Sequence, residues 1–390
     1  MTNTYLITLT PTGKFFFGGD MTFEVRSKDK NKEKEDKEFN SKFSSYIIRS
    51  NKFPQQTSLL GMLRFLILRN NKEVFDAGTQ SIINRTSAEN MIGKKSFENS
   101  NKEGDFKKIK KLHHCFLQKD GKPIRYLERD YKYTVEFGDI KGRSLKSSNE
   151  LTIPTIEGYD PKDGIASLYL IEGVEIPESD IFVEDISNGI NRDIETGKTD
   201  DNALFKQICY RFNTKLYRYK KPSYDKDRKR TKDGSGNYEF TSCQYSFAFY
   251  AEMDLTDEEV KKYNGQLVSV GGDNSQFVIG IEQKKIPPME ETKGTKVVLE
   301  SPAYLTKEDL ENVRFAITDT IPFKCMKTET KDVKSYDKRN QMYGYSESLS
   351  LYDKGSVFYF RDENEAKKFT DKLKDHADFY QIGYNHYQVK

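Results

Sequence analysis

Apolar and polar residues alternate through TYLITLTP (residues 4–11), which predicts an opening half-buried strand. TSLLGMLRFLILRN (57–70) is apolar nearly all round a helical wheel, so it should form a helix buried on most of its surface. ALFKQICYRF (203–212) and CQYSFAFYAEM (243–253) alternate as two further strands. The next helix should begin at Thr256, with Glu259 completing a capping box, Leu255 and Val260 forming a hydrophobic staple, and Asn264-Gly265 ending it. QLVSVGGDNSQFVIGIEQ (266–283) then reads as a last strand, interrupted at Gly271-Gly272.

The C-terminal third shows the same order. KVVLESPAYL (296–305) reads as a strand, and TKEDLENVRFA (306–316) as a short helix capped by Thr306 and Asp309, with Leu305 and Leu310 as the staple. TIPFKCMKTE (320–329) is a weak strand and SLSLYDKGSVFYF (348–360) a strong one. In DENEAKKFTDKLKD (362–375), Asp362 and Glu365 form a capping pair, and Ala366, Phe369 and Leu373 lie along one face. FYQIGYNHYQV (379–389) closes as a strand. The order β-α-β-β-α-β is the split βαβ unit. The expected fold class is therefore α+β, with two ferredoxin-like (RRM-like) βαββαβ domains in tandem. The first, residues 1–285, carries large insertions, and the second covers 286–390. The segment between the first helix and residue 203 is too long for a loop and must hold substructure of its own.

Composition adds three constraints. With 390 residues, 35% of them hydrophobic, the chain can bury a sizeable core. It has no apolar run long enough to span a bilayer and no evident signal peptide. Cys115, Cys209, Cys243 and Cys325 are far apart with no CxxC spacing, which points to reduced thiols, hence to the cytoplasm, and away from a zinc knuckle.

The net charge of +3 is unevenly distributed. KLYRYKKPSYDKDRKRTK (215–232) sets nine basic residues against two acidic ones, with three tyrosines among them. Basic groups neutralise phosphates and aromatic faces accept bases, so this mixture fits single-stranded nucleic acid. A solvated, lysine-rich loop is the plainer alternative. RSKDKNKEKEDKEFNSK (26–42) mixes both signs with little to pack and reads as a flexible insertion.

Candidate chemistry is sparse. Two GGD triplets, Gly18-Gly19-Asp20 and Gly271-Gly272-Asp273, resemble the turn that carries metal in polymerase-like palms and nucleotide cyclases. Two-metal chemistry needs a pair of carboxylates, and each triplet offers one, so the glycines are read as allowing close backbone approach. His113 and His114 are adjacent, and on a strand they would point to opposite faces, one at the surface and one packed. His386 falls in the last expected strand, as a proton donor in RNA cleavage or as a plain RNA contact. No Ser/His/Asp set, HExxH or P-loop is present, and neither a metal nor a cofactor is expected.

Thr57, Gly61 and Arg64 share a helix face. Glycine within a helix costs roughly 1 kcal/mol relative to alanine, so Gly61 should permit close contact, either internal or with RNA. The helix N-terminus with Thr57 and Ser58 suits a phosphate. ISNGINRDIETGKTDDNALFKQICYRF (186–212) reads as an extended hairpin presenting Asn191, Arg192 and Lys198 to RNA, with Arg211 on its return strand and Lys215 and Arg218 just beyond as further RNA-binding candidates; an ordinary surface hairpin is the plainer alternative.

PQQTSLLGMLR (54–64), NGINRDIETGKTDDNALF (188–205), LVSVGGDNSQFVI (267–279), SPAYL (301–305) and GYSESLSLYDKGSVFYF (344–360) together resemble, in order, the RAMP superfamily of CRISPR proteins. Within it they are most similar to the family that forms the third subunit of type III-B (Cmr) effector complexes. Gly344-Tyr345 followed by Lys354-Gly355-Ser356 carries most of that assignment. The family's C-terminal glycine-rich turn is reduced here to Ile382-Gly383-Tyr384. The resemblance implies a non-catalytic subunit that grips the 5′ handle of the crRNA. It would dock the large palm-bearing subunit and contact the backbone RAMP subunits. Carried onto this chain, the handle contacts would be Thr57, Ser58, Arg64, Asn191, Arg192, Gly271, Gly272, Asn274 and Gln276, with Tyr345 beside them. The alternative in the same superfamily is a crRNA-processing endoribonuclease, which would have to use His113, His114 or His386 as its acid or base.

Overall fold

The computed structural model describes residues 2–19, 21–25, 43–137, 154–158, 168–192, 199–219, 238–272, 275–287, 293–328, 343–345 and 348–390. Backbone alone is described for 21–25, 43–46, 190–192, 199–204, 215–219, 238–242, 326–328 and 343–345.

Asn3–Pro11 forms the expected strand and lies inside a nine-stranded sheet. Tyr245–Met253 pairs with it on one side and Gln276–Gln283 on the other, both antiparallel. Beyond Tyr245–Met253 come Phe116–Lys119, Lys122–Tyr126, Leu168–Ile171 and Val174–Pro177, while Leu267–Ser269 closes the opposite edge. Ile109–Leu112 also pairs with Tyr245–Met253, next to Phe116–Lys119.

Residues 203–212 do not join this sheet. Thr199–Phe212 pairs antiparallel with Phe182–Arg192 and parallel with Phe43–Arg49, in a separate four-stranded sheet completed by Met21–Val25. The place expected for it beside Tyr245–Met253 is taken by Ile109–Leu112 and Phe116–Lys119. Alternation shows that a segment buries one face, but it does not name the neighbour. A long hairpin with Phe182–Arg192 was available nearby in sequence.

Helix α1 (Gln56–Arg69) buries Leu59, Leu60, Met62, Leu63, Leu66, Ile67 and Leu68, which is why its sequence is apolar nearly all round. Helix α2 (Arg85–Ile92) packs on it and is capped by Asn84, whose side chain accepts from the Ser87 N–H. Helix α3 (Asp257–Tyr263) has the expected capping box, with both arms between Thr256 and Glu259 formed. Between α1 and the sheets, Phe15, Phe17, Phe212, Phe247 and Phe277 build an aromatic core with ring centroids 5.0–6.2 Å apart.

In the C-terminal region the sheet order is Phe315–Ile317, Val357–Tyr359, Lys296–Leu299, Tyr387–Val389. Helix α4 (Glu363–Asp375) covers it with Ala366, Phe369 and Leu373 buried, and the Asp362 carboxylate accepts from the Glu365 N–H at 2.9 Å. Four expectations need correction. The helix expected over 306–316 is only the 3-10 turn Glu308–Leu310, which buries no side chain, and the strand Phe315–Ile317 begins soon after it. The strand expected at 320–329 is shorter, Thr320–Phe323, and pairs outside this sheet with Leu349–Tyr352. The strand expected over 348–360 is two strands, because Asp353–Ser356 makes a turn in which Asp353 Oδ1 accepts the Lys354 N–H and Ser356 Oγ donates to the Asp353 carbonyl. The terminal segment 379–389 begins in a short helix, Ala377–Gln381, and only Tyr387–Val389 is strand.

One continuous hydrophobic core includes Leu63 and Phe247 together with Phe323, Leu351, Phe379 and Tyr384, so it draws on both sides of residue 285. Among the described residues no helix is long and apolar enough to cross a membrane.

Candidate nucleic-acid interface

Three stretches distant in sequence meet at a seam: the segment 49–56 entering α1, the turn Asp353–Ser356, and Gly383-Tyr384. Gly383 has φ +95°, and a Cβ there would stand 2.7 Å from the His113 carbonyl, so only glycine lets the turn close on the start of α1. Gln56 Nε2 donates to the Gly383 carbonyl at 3.0 Å and to the His113 carbonyl at 3.2 Å. Its backbone N–H donates to Tyr384 Oη at 3.2 Å. The helix N-terminus expected to hold a phosphate through Thr57 and Ser58 is thus met by a tyrosine of the same chain, and Ser58 N–H turns back to the Gln55 carbonyl.

Beside this junction lies a cavity of about 390 Å³. Lys52, Phe53, Tyr126, Pro302 and Lys354 are among its walls. Lys354 Nζ sits 3.0 Å from the Phe53 ring centroid and 4.5 Å from that of Tyr126, and donates to Tyr169 Oη at 3.2 Å. The nearby carboxylates are engaged elsewhere, Glu178 by Lys52 at 2.6 Å and Asp353 by Arg129 at 3.0 Å. Withdrawal from water lowers the Lys354 pKa to about 8, against the pull of Glu178 and Asp353.

The histidines behave differently from the sequence expectation. Residues 113–115 link two strands and belong to neither, so alternation does not apply and both rings turn toward His386, which itself precedes the last strand. The centroids of His113 and His114 lie 5.4 and 5.5 Å from that of His386. His114 Nδ1 is 3.4 Å from His386 Nδ1, His113 Nε2 is 3.2 Å from Glu252, and His114 lies 3.9 Å from Glu300. Burial lowers His114 to about 4 and pushes His386 well down, and it raises Glu300 to about 7. His386 Nε2 is buried without a hydrogen-bond partner. Glu300 lines both the seam cavity and a groove of about 1000 Å³ along α4. Among the described residues no group of three or more His, Cys, Asp or Glu is arranged to hold a metal.

The glycine turn packs on its own chain. Gly271 has φ +83°, and a Cβ there would overlap the Phe16 carbonyl. The Gly272 N–H, at a turn read as open to RNA, donates to that same carbonyl at 2.9 Å, and Ser275 Oγ accepts the Phe16 N–H at 2.8 Å. The two glycine pairs are neighbours through Phe16-Phe17, since the Asn51 N–H donates to the Gly18 carbonyl at 2.6 Å just beyond. Asp20, Asp273 and Asn274 lie outside the described residues. Gln276 opens its strand, and its carbonyl accepts from the Thr12 N–H.

The remaining candidates are dispersed. Arg64 donates to the Ile92 and Gly93 carbonyls at 3.1 and 3.2 Å and so ties α1 to the end of α2, and burial lowers its pKa. Gly61 is exposed, and among the described residues nothing lies within 4 Å of where a Cβ would be, so no contact among them accounts for it. Asn191 and Arg192 end the strand Phe182–Arg192, with their side chains outside the described residues, as is the whole of Lys198. Arg211 is exposed on the partner strand. Lys215 and Arg218 lie on Lys215–Tyr219, which pairs with Tyr238–Ser242, and Tyr345 on Tyr343–Tyr345, which pairs with Met326–Thr328; these three are described as backbone only. Most of the basic stretch, from 220 to 232, and the mixed-charge run 26–42 lie outside the described residues. Sequence reasoning missed Lys52, Phe53, Glu300 and Lys354 as site residues. Only Lys354 carried a signal, standing in the KGSVFYF motif.

These features define an α+β chain in which one hydrophobic core draws on both sides of residue 285 and the C-terminal sheet keeps a second core under α4, with a cavity lined by aromatic, cationic and carboxylate side chains at the seam. The model of the family described as CRISPR-associated protein (Cas_Cmr3) matches residues 34–389, and the chain belongs to that family. The chain is similar to one in a cryo-EM structure of the type III-B Cmr-beta bound to cognate target RNA. That match has TM-score 0.48 and 13% identity over 99% of this chain and 96% of that one. It is similar also to one in the state 1 structure of Cmr-beta bound to cognate target RNA and AMPPnP, with TM-score 0.45 and 13% identity over 98% and 95% of the two chains. No curated protein matches it.

Proposed function

We propose that this chain is a non-catalytic subunit of a type III-B CRISPR effector complex that binds the 5′ handle of the crRNA. In this reading it docks the large palm-bearing subunit and the backbone RAMP subunits, in the cytoplasm. Family membership across residues 34–389 is the observation that carries the reading. The strand orders support it: the central strands of the N-terminal sheet and the four strands of the C-terminal sheet run fourth, first, third, second, the order of a ferredoxin-like half. So do the aromatic faces at the seam. Affinity capture of the chain from its native host should bring down RAMP subunits, a palm protein and short RNAs with a common repeat-derived 5′ end. A native complex fully assembled on crRNA without this chain would sink the reading.

A crRNA-processing endoribonuclease is the second reading, favoured by the convergence of His113, His114 and His386. The low pKa of His114 and His386 argues against either as a proton donor near neutral pH. Cleavage of repeat RNA by the pure chain, lost in His386→Ala, would move this reading to first place.

A further inference from the structure

The Lys354 ammonium is short of partners. It has three donors and makes one hydrogen bond, to Tyr169 Oη, and among the described residues no carboxylate lies within 4 Å of it. The faces of Phe53 and Tyr126 offset part of the cost of holding a cation there, but they carry no anionic charge to match it. The group borders a cavity of about 390 Å³, within the range that holds small ligands. Lys52 and Arg49 stand at the same cavity but are paired with Glu178 and Glu184. Glu178, Glu300, Asp319 and Asp353 line it too, and Tyr126, Pro302 and Pro322 give it flat, apolar walls.

We propose that this cavity is a nucleotide-binding pocket in which Lys354 holds the phosphate and the flat walls receive the base. The nucleotide is either a free nucleoside monophosphate or one unstacked unit of an RNA strand. The proposal deepens the RNA-binding reading and rests on it for the second source only. It also gives a task to the motif residue Lys354. The turn fixes the geometry: Asp353 Oδ1 accepts the Lys354 N–H, and the Gly355 carbonyl accepts the Arg129 N–H at 2.9 Å, so the side chain is carried on a braced backbone. Phosphate supplies the anion that the buried ammonium lacks.

The test uses the full-length chain, titrated by calorimetry with AMP, UMP, adenosine and inorganic phosphate, alongside a crRNA-handle oligonucleotide carrying a photoreactive base. Monophosphate binding should weaken at least tenfold in Lys354→Met, a substitution that removes a buried charge and so should leave melting unchanged or raised. It should also weaken as pH rises through 8, as the ammonium deprotonates. Nucleoside binding without phosphate dependence, or monophosphate binding that Lys354→Met leaves intact, overturns the proposal. Failure of all monophosphates to bind, with no crosslink from the oligonucleotide to the peptide 49–56 or to Tyr126, overturns it as well. Binding of AMP without competition by the oligonucleotide identifies a free nucleotide as the ligand, and competition identifies an RNA unit. Handle RNA that still crosslinks elsewhere on the chain would leave the RNA-binding reading standing while this pocket falls.

Discussion

His114 and His386 face each other Nδ1 to Nδ1 at 3.4 Å, although 272 residues separate them. Their contact closes the seam between the N-terminal sheet and the last strand, and both are held neutral by burial.

Acid should therefore loosen the seam. The folded pKa of His114, about 4, lies below its ordinary 6.5, so the unfolded chain binds the extra proton first. Stability is fully present above pH 6.5 and is lost as pH falls toward 4, by up to about 3 kcal/mol from this residue. Urea denaturation at half-unit steps from pH 4 to 8 should show that slope, and His114→Asn should flatten it.

Glu300 works in the opposite sense. Its folded pKa, raised by burial to about 7, makes the folded chain the better proton binder between pH 4.5 and 7. Its contribution is present below pH 4.5 and lost as pH rises through 7. Glu300→Gln should stabilise the chain by up to about 3 kcal/mol at pH 8 and by much less at pH 5. An equal effect at both pH values would contradict the assignment.

Tyr384→Phe removes the acceptor for the Gln56 N–H at the start of α1. Leaving that buried donor unmet should cost about 1–2 kcal/mol, read as a lower urea midpoint with unchanged slope.

Gly61→Ala and Arg64→Met should move apart. The first places a methyl in open space on a helix and should stabilise the isolated chain by about 0.5–1 kcal/mol. The second strips two carbonyl contacts from the end of α2 and should destabilise it by about 1–3 kcal/mol. If Gly61→Ala also weakens handle RNA binding, the close approach at that face is made by the RNA.

The local chemistry of the chain determined a good deal. The capping box at Thr256 and Glu259, the cap at Asp362, the buried surface of α1 and the face of α4 all formed as their residue types require, because each depends on contacts within a turn or two of helix. Tertiary structure decided the rest. It sent Thr199–Phe212 to another sheet, because alternation says which face is buried and not which strand lies alongside. It set the Gly272 N–H against Phe16 and the α1 N-terminus against Tyr384, so donors that looked free by sequence are spent on chain closure. It also gathered Lys354, Phe53 and Tyr126 around one cavity, which no local pattern encodes, since the three come from separate elements and meet only when the seam closes.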